Sequence, residues 1–473
     1  INRLQELGAA IATNGQRLST FKRINSAKDD PAGLIASEVL RSAKVALTAA
    51  TDNARRADTV VSVTEGALQE VNALLLDLEN LVDRTANEGG LSSAEVKANQ
   101  LQVDSILSSI NRLANSTSFG DKKLLQGNLD FTTSGVTSTN LAAVDVNSAR
   151  IADNSFRNVV VDVVTGSDFA FISAYGGDFG GAAGVNGRLS AALTIQVGGS
   201  IGTEVFSFAS GATQTQIVTA INAVSQLTGV SAITSSNTGG ANAVIFSSNT
   251  FGSNAFVTVS VVSDGGATGL NLSTTSNKGT DGTITINGQA ATVDGLDVSV
   301  RTGALSLDLT LTQTFGTTNA GSSSFQVTGG GAKFNIAPQV GLVGQETIGV
   351  KNVGTGSLGN SSLGFLSTLG KGEANDLASS NLATAQTIVG KAISQVSSLR
   401  GRLGAFQRNT LGSAINSMLV TFENVSAAES AIRDADFAVE TSNLTRSQIL
   451  VAASTTVLQL ANAQPQNALS LLG

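Results

Sequence analysis

Charged side chains are the residues of this sequence best able to do chemistry, and we single out three groups of them. The first group, Lys28-Asp29-Asp30, stands directly before Pro31 and shortly after Arg23. Carboxylates in such a setting can cap a helix, pair with a cation or bind a hard metal ion such as Mg²⁺. The other two groups lie late in the chain and comprise Arg400, Arg402 and Arg408, followed by Arg433, Asp434 and Asp436.

Histidine and cysteine are both missing from the whole sequence. Zinc sites need imidazole or thiolate ligands, and Ser-His-Asp or Cys-His catalysis needs a histidine base or a cysteine nucleophile. Carboxylate-only catalysis or a magnesium site stays open on these grounds, but no paired-carboxylate motif stands out. We therefore expect no catalytic residue, no cofactor and no metal site. No disulfide can form, so the chain could cross a membrane unfolded without trapping a wrong bond.

The bulk properties argue against several classes of partner. Only 13% of the 473 residues are charged, the net charge is -7, and no basic field exists for nucleic acid or anionic lipid. No apolar run approaches membrane-spanning length, and residues 1–26 lack the pattern of a secretory signal. We expect neither nucleic acid nor membrane as a partner. The length predicts two or three domains.

Composition divides the chain into three parts. Most of the 51 glycines lie between residues 151 and 372, in a segment dense in Thr, Ser and Val. Runs such as "AALTIQV", "NAFVTVSVV", "GTITING" and "LSLDLTLTQT" alternate apolar and polar residues, which predicts half-exposed strands. The stretch "QTQIVTAINAVSQL" breaks this pattern and predicts a short helix.

Both ends of the chain have the spacing of long helices. Apolar residues that step by three and four run from Val61 to Val82 and from Leu382 to Phe406, which is typical of a coiled-coil or bundle seam. Narrow seams of this kind must be covered by another helix. Two further seams, one at each end, are predicted to pack against each other or against another copy: Leu4, Leu7, Ile11 and Leu18, and then Leu444, Val451 and Leu458.

We therefore predict an α+β fold, in which paired N- and C-terminal coiled-coil or bundle helices form a rod and a β-rich variable domain is inserted in mid-chain. Two unrelated helical domains flanking a β domain are the alternative. The predicted parts are an inner coiled-coil region (1–28 plus 440–473), a helical rod domain (29–145 plus 374–439) and an outer β-rich region of one or two subdomains (146–373).

The stretch "SAKDDPAGLIASEVL" is a helix start on physical grounds. Asp30 can accept backbone N–H bonds as the N-cap, and Pro31 at the first helical position loses no needed donor. Proline disfavours helical geometry in the residue before it, so the preceding helix must end or bend there. A joint between two helices accounts for this stretch without any further function.

Longer motifs at both ends resemble bacterial flagellin, the subunit of the flagellar filament. At the N-terminal end they are "RLSTFKRINSAKDDPAGLIASEVLRS" and "ADTVVSVTEGALQEVNALLLDLENLVDRTAN"; at the C-terminal end they are "SSLRGRLGAFQRNTL", "ENVSAAESAIRDADFAVETSNLTRSQIL" and "ASTTVLQLANAQPQNALSLLG". The resemblance covers roughly residues 18–125 and 374–473. The segment "TAINAVSQLTGVSAITSS" is similar to a weaker repeat in the variable regions of flagellins.

The resemblance implies a function in swimming motility as a secreted structural protein. It implies that terminal helices pair as an inner coiled coil, that the next segments form a rod, and that the variable middle faces outward. It also implies self-assembly into an extracellular helical homopolymer, export through the flagellar type III system with a chaperone on the C-terminal helix, and contacts with the filament cap and hook-junction proteins.

For an assembling subunit the informative residues are those at interfaces. Our hypothesis is that some charged residues of the three groups pair across subunit boundaries, because complementary charges fix register and partner choice. The candidates are Arg23, Lys28, Asp29, Asp30, Arg400, Arg402, Arg408, Arg433, Asp434 and Asp436. The competing interpretation is a set of solvated helix faces.

Three other functions remain open at this point. A hook–filament junction protein shares flagellin-like ends and a β-rich middle, although "NALSLLG" and "AAESAIRDADFA" favour flagellin. The outer region could also act as an adhesin or glycan binder within a filament. An enzyme with a catalytic insertion is the remaining alternative.

Overall fold

The structure is a computed structural model, and it describes residues 2–87, 90–152, 155–175, 188–189, 191–236, 242–265, 271–360, 363–379 and 381–470. The chain forms two compact units. The helical unit consists of Ile1–Leu107, Phe334–Glu346 and Gly359–Gly473, and the β unit consists of Ser108–Lys333 and Thr347–Leu358.

Long helices make up most of the helical unit. The α-helices of the described residues are α1 (Asn2–Thr20), α2 (Pro31–Thr85), α3 (Ser93–Ser116), α4 (Gln214–Ala223), α5 (Ser225–Thr228), α6 (Gln313–Gly316), α7 (Leu382–Ala405), α8 (Gly412–Arg433) and α9 (Phe437–Ser470). A π-helical turn, Phe406–Leu411, joins α7 to α8 without a break. The boundary between the two units falls within α3.

The predicted seams of α2 and α7 form the core of the helical unit. Leu68, Leu75 and Leu78 on α2 are fully buried, as are Val389 and Val396 on α7. Both seams step by three and four residues, so each places one continuous apolar face toward the other helix. The terminal helices α1 and α9 lie against each other in the same unit.

Polar contacts show that α2 runs antiparallel to the helix α7–α8. Asp83 near the end of α2 accepts a hydrogen bond from Gln386 near the start of α7. Close to the start of α2, Lys44 pairs with Glu429 near the end of α8. Residue numbers therefore rise along one helix as they fall along the other.

Short antiparallel strands dominate the β unit. The strands of the described residues are β1 (Ser118–Phe119), β2 (Lys122–Lys123), β3 (Phe131–Ser134), β4 (Leu141–Ala149), β5 (Arg157–Thr165), β6 (Phe169–Tyr175), β7 (Leu193–Gly199), β8 (Thr203–Phe208), β9 (Val230–Ser236), β10 (Asn242–Phe251), β11 (Phe256–Ser263), β12 (Asn271–Leu272), β13 (Ser276–Lys278), β14 (Thr283–Ile286), β15 (Gln289–Ala290), β16 (Thr292–Asp294), β17 (Asp297–Arg301), β18 (Leu305–Leu311), β19 (Gly321–Gly330), β20 (Ala332–Asn335), β21 (Gln345–Ile348), β22 (Gly359–Asn360) and β23 (Gly364–Phe365).

Two hydrophobic cores divide the β unit into two lobes. In the first lobe, the sheet β15-β14-β5-β19-β3 and the sheet β16-β17-β18-β4 share one core, to which β5 contributes Val161 and β18 contributes Leu307. Strand β18 alternates buried and half-buried residues along its whole length, as its sequence predicts. Such alternation is what a sheet with one buried face requires.

The second lobe is inserted into the first, between β5 and β14. Its sheets are β12-β6-β10-β9 and β13-β11-β7-β8, and α4 covers their core with Ile217 and Ile221. The predicted short helix is thus α4. A capping box holds its start: Thr213 accepts from the N–H of Gln216, whose side chain accepts from the N–H of Thr213.

One carboxylate ties the two lobes together. Asp281, in the strand-to-strand link that returns to the first lobe, accepts a hydrogen bond from Gly295 N at 2.8 Å. It also accepts from Ser253 N at 3.1 Å, in the turn between β10 and β11 of the second lobe. Burial raises the pKa of Asp281, but these hydrogen bonds outweigh it, and the pKa lies below its usual value. Helices at both ends and a β-rich insertion between them confirm the predicted α+β fold.

Candidate functional site

The link between α1 and α2 pairs with the link between α8 and α9. Arg23 N donates to Arg433 O at 2.7 Å, and Ala435 N donates to Phe21 O at 3.1 Å. The Arg23 guanidinium also donates to the carbonyl of Ile432 at 2.6 Å. These bonds form a short antiparallel bridge between residues that are far apart in sequence, and we call the paired links the joint.

Two exposed aromatic rings lie at the joint. Phe21 has a φ of 55°, in the left-handed region that non-glycine residues rarely adopt. Its ring stacks on Phe437 with the centroids 6.2 Å apart, and both rings are exposed. The joint therefore holds a strained residue whose apolar ring faces solvent.

Asp29 closes the loop that leads into α2. Its carboxylate accepts hydrogen bonds from Ser26 N at 2.8 Å, Asn25 N at 3.0 Å and the Ser26 hydroxyl at 3.1 Å. The backbone N–H groups of Ser26 and Asn25 hold the pKa of Asp29 below its usual value, because they stabilise the charged form.

Asp30 caps α2, as its position before Pro31 predicts. Its backbone is extended, and its side chain accepts from Gly33 N at 2.9 Å. Ile24 is fully buried beneath this turn. A Cβ on Gly33 would lie 2.4 Å from Asp30 Oδ2 and 2.6 Å from Ile24 Cδ1, so a larger residue here would force these side chains to shift. The neighbouring Lys28 is exposed.

The third charged group contributes to the far side of the joint. Arg433 Nη1 lies 3.3 Å from Glu38 Oε1 on α2. Asp434 accepts from the Ser430 hydroxyl at the end of α8. Asp436 begins α9 by accepting from Ala438 N at 2.9 Å and from Val439 N at 3.2 Å. Each of these side chains therefore fixes a helix end or the register between helices.

A partly buried ion pair joins α1 to α9 beside the joint. Arg17 Nη1 lies 3.1 Å from Glu440 Oε1, and the Glu440 side chain is only 8% exposed. The second oxygen of Glu440 and Nε of Arg17 are buried with no hydrogen-bond partner in the described part of the chain. A buried charge without a partner is costly. Loss of the Arg17–Glu440 contact would leave the Glu440 carboxylate in that state, so we expect this contact to stabilise the packing of α1 on α9.

Further ion pairs set the register between α2 and α7–α8. Arg400 lies 2.9 Å from Glu65 Oε1 through both Nε and Nη2. Lys44 Nζ lies 2.8 Å from Glu429 Oε2 and above the ring of Phe422. In the π-helical turn, Gln407 donates to the Ser62 hydroxyl at 2.8 Å.

The structure thus brings Arg23, Arg433 and Asp434 together at the joint and sets Arg400, Arg402 and Arg408 along the α7–π-helical stretch. Arg402 is half-buried and Arg408 is exposed. Cross-subunit pairing of these residues stays a prediction. Sequence reasoning missed their partners and the other paired residues: Arg17, Glu38, Lys44, Glu65, Glu429 and Glu440. A charged residue next to an apolar seam was the available signal for such an ion pair. The sequence does not show which charged residues pair, because that depends on how the helices align.

The helical unit also exposes many large apolar side chains. On α9 the charge-free stretch after Arg446 is long, and its exposed apolar residues form a broad surface. The predicted seam residues of α1 and α9 are half-buried, apart from Leu458, which is exposed. The exposed apolar residues of α2, α8 and α9 include Ile35, Val39, Val45, Leu419, Val420, Phe437, Val439, Ile449, Leu450, Val457 and Leu460.

Within the described ranges, no helix combines the length and apolarity needed to cross a membrane. The same ranges contain no group of three or more acidic side chains placed to hold a metal ion.

Comparison with known proteins gives a consistent result at both ends of the chain. Residues 2–130 match the family described as the bacterial flagellin N-terminal helical region, and residues 386–472 match the bacterial flagellin C-terminal helical region. The chain is 27% identical to polar flagellin A of Vibrio parahaemolyticus, in an alignment that covers 97% of this chain and 92% of that protein. It is 28% identical to a flagellin of Salmonella rubislaw, in an alignment that covers 100% of this chain and 97% of that protein.

Among solved structures, FliC from Burkholderia pseudomallei is 15% identical, covers 74% of this chain and 98% of its own, and superimposes with a TM-score of 0.23. That score is too low to support an argument, so the assignment rests on the family matches and the relatives. Those matches cover the helices that build the joint, and the relatives span nearly the whole chain. The chain belongs to the bacterial flagellin family and is a structural subunit of the extracellular flagellar filament.

Proposed function

We propose that this subunit assembles with copies of itself through the exposed apolar residues of the helical unit, and that the joint holds α1, α2, α8 and α9 in the geometry that assembly needs. The observation that supports this most is the exposed apolar surface of α9 and α2. Monomeric proteins rarely expose large contiguous apolar patches, and such patches mark interaction sites.

The finer division of the chain is part of this proposal. Residues 1–28 with 440–473 are the inner coiled-coil region, residues 29–145 with 374–439 are the rod, and residues 146–373 are the outer region. In this division the rod includes β1–β3 and the start of β4, which belong to the β unit of the structure. The ion pair Arg17–Glu440 belongs to the proposed inner region, whereas Lys44–Glu429 and Arg400–Glu65 belong to the rod. The inner region and the rod therefore each have a polar contact of their own that fixes how their helices align.

Some of the predicted charged residues retain capacity for contacts between subunits. Lys28 and Arg408 are exposed, and we propose that these two side chains reach carboxylates of neighbouring copies. Asp29 and Asp30 act mainly inside the chain, since the oxygens of Asp29 accept from backbone N–H groups of its own loop and those of Asp30 accept from the first turn of α2. Charge reversal at Lys28 that left filament formation and filament shape unchanged would contradict this part of the proposal.

Elongation of filament seeds tests the proposed assembly. Purified chain added to short flagellar seeds is expected to lengthen them into long filaments, visible by electron microscopy. A chain that stays monomeric, or that adds only a short terminal layer, would support the role of a hook–filament junction protein instead.

We also propose export of the unfolded chain through the flagellar type III system, with a chaperone on the C-terminal helix and with the filament cap and hook-junction proteins as assembly partners. The lack of cysteine supports this route, because no disulfide can lock the chain before export. Secretion that persists in cells lacking the flagellar export apparatus would contradict it. A purely structural role without catalysis is consistent with the flagellin family.

A further inference from the structure

The most exposed apolar side chains of the described residues lie in a loop that neither the joint nor the helix seams explain. Residues 336–344, "IAPQVGLVG", connect β20 to β21 and carry no charge. Val340 and Val343 are each 89% exposed, more than any other large apolar side chain in the described ranges. Exposure of two valines to this extent in a short neutral loop is unfavourable for an isolated subunit.

The base of this loop is fixed to the helices of its own unit. Ile336 packs against the buried cluster that contains Leu47 of α2 and Met418 of α8. Ile336 N donates to Gly344 O at 3.0 Å, which closes the loop. A Cβ on Gly344 would lie 2.6 Å from the Cβ of Ala337, so the two sides of the loop are in close contact. The loop therefore presents its valines from a rigid base, and they do not fold back onto the helices.

A second copy of this chain is the occupant that these features favour. In a filament made of one kind of subunit, a head-to-tail contact needs two different complementary surfaces on the same chain. An uncharged apolar loop fits an apolar surface and offers nothing to a charged partner. The contact would bury the valines that the isolated subunit exposes.

The same unit also exposes apolar side chains on the first turns of α2. Ile35 and Val39 are 68% and 63% exposed and lie one turn apart on one helix face. The nearby carboxylate of Glu38 pairs within the chain with Arg41 and Arg433, at 3.4 Å and 3.3 Å. Ile35 and Val39 therefore form an apolar surface whose neighbouring carboxylate is already paired.

We propose that Val340 and Val343 pack against Ile35 and Val39 of a neighbouring copy in the filament. The proposal rests on the self-assembly proposed above and names one of its contacts. It makes the loop at residues 336–344 an assembly element in addition to the terminal helices.

Polymerisation of valine variants is the first test. Replacing Val340 or Val343 with serine in the full chain is expected to raise the critical concentration for seeded elongation by roughly tenfold per valine, since each substitution removes the burial of one apolar side chain. Val262→Ser is the matched control, because Val262 is 61% exposed in the second β lobe and should change nothing. Unchanged critical concentrations for both loop variants would overturn the proposal. If the unsubstituted chain itself fails to elongate seeds, self-assembly is what fails.

Disulfide trapping is the second test, and it needs no background substitution because the chain has no cysteine. A mixture of V340C and V39C subunits, polymerised and then oxidised, is expected to give covalent dimers of one subunit of each kind. V340C mixed with V262C should give none. Dimers that form instead between V340C and V457C, a substitution on α9, would overturn the assignment of the α2 surface, and so would the absence of any dimer in intact filaments.

Discussion

Gly33 offers a sharp test of the joint, because two glycines of the same helix should respond to alanine in opposite ways. Alanine at Gly33 would place its Cβ 2.4 Å from Asp30 Oδ2 and 2.6 Å from Ile24 Cδ1. Ile24 is fully buried and the Asp30 carboxylate is held by its cap bond, so neither neighbour can move without loss. At Gly66, also in α2, nothing lies within 4 Å of the added Cβ.

The expected magnitude follows from three contributions. Losing the Asp30 cap costs about 1 kcal/mol. Overpacking against Ile24 costs about 1–3 kcal/mol. Alanine in place of glycine within a helix returns about 1 kcal/mol. Gly33→Ala should therefore destabilise the joint by about 2 kcal/mol, whereas Gly66→Ala should stabilise α2 by about 1 kcal/mol.

Amide hydrogen exchange is the appropriate assay, because it reports local opening without requiring the whole chain to unfold in one step. In Gly33→Ala the segment 22–34 should exchange roughly 30-fold faster than in the unsubstituted chain. In Gly66→Ala that segment should keep its protection. Equal or greater protection of the joint in Gly33→Ala would refute the account of Asp30, Gly33 and Ile24.

Three further predictions concern the two units. Asp281→Asn should lower the melting temperature of the β unit at neutral pH. Because the folded pKa of Asp281 lies below its usual value, the stabilisation is present above about pH 4 and is lost as pH falls through the folded pKa, so unsubstituted and variant melting curves should converge in acid. A double-mutant cycle on Arg400 and Glu65, read by thermal denaturation, should give a coupling of about 1 kcal/mol or less, since both side chains remain partly exposed; a coupling several times larger would contradict that view. Leu75→Ala and Leu307→Ala should each cost about 2–5 kcal/mol, the first in the calorimetric transition of the helical unit and the second in that of the β unit; a single transition shifted by both would show that the units unfold together.

Periodicity predicts what depends on local spacing. The stripe from Val61 to Val82 is buried as its three-and-four spacing requires, and the alternation in "LSLDLTLTQT" becomes β18. Asp30 before Pro31 caps a helix because both residues act within one turn. These features need no knowledge of distant parts of the chain.

Features that depend on register between distant segments could not be predicted. Strand β5 pairs with β14 although the whole second lobe lies between them in the sequence, and no local pattern indicates which strands pair. The partners of Arg400 and Arg433 likewise follow from how α2 aligns with α7 and α8. The three-and-four spacing ends at Phe406, and nothing in it indicates that the next turn, Phe406–Leu411, is π-helical or that Gln407 in this turn binds Ser62 of α2.

A helical reconstruction of filaments grown from the purified chain by electron microscopy would test the central claim most directly. The claim predicts that exposed apolar residues of the helical unit, such as Val457 and Leu460 on α9, become buried between copies. Filaments in which these side chains remain in contact with solvent, while neighbouring copies touch only through the β lobes, would contradict it.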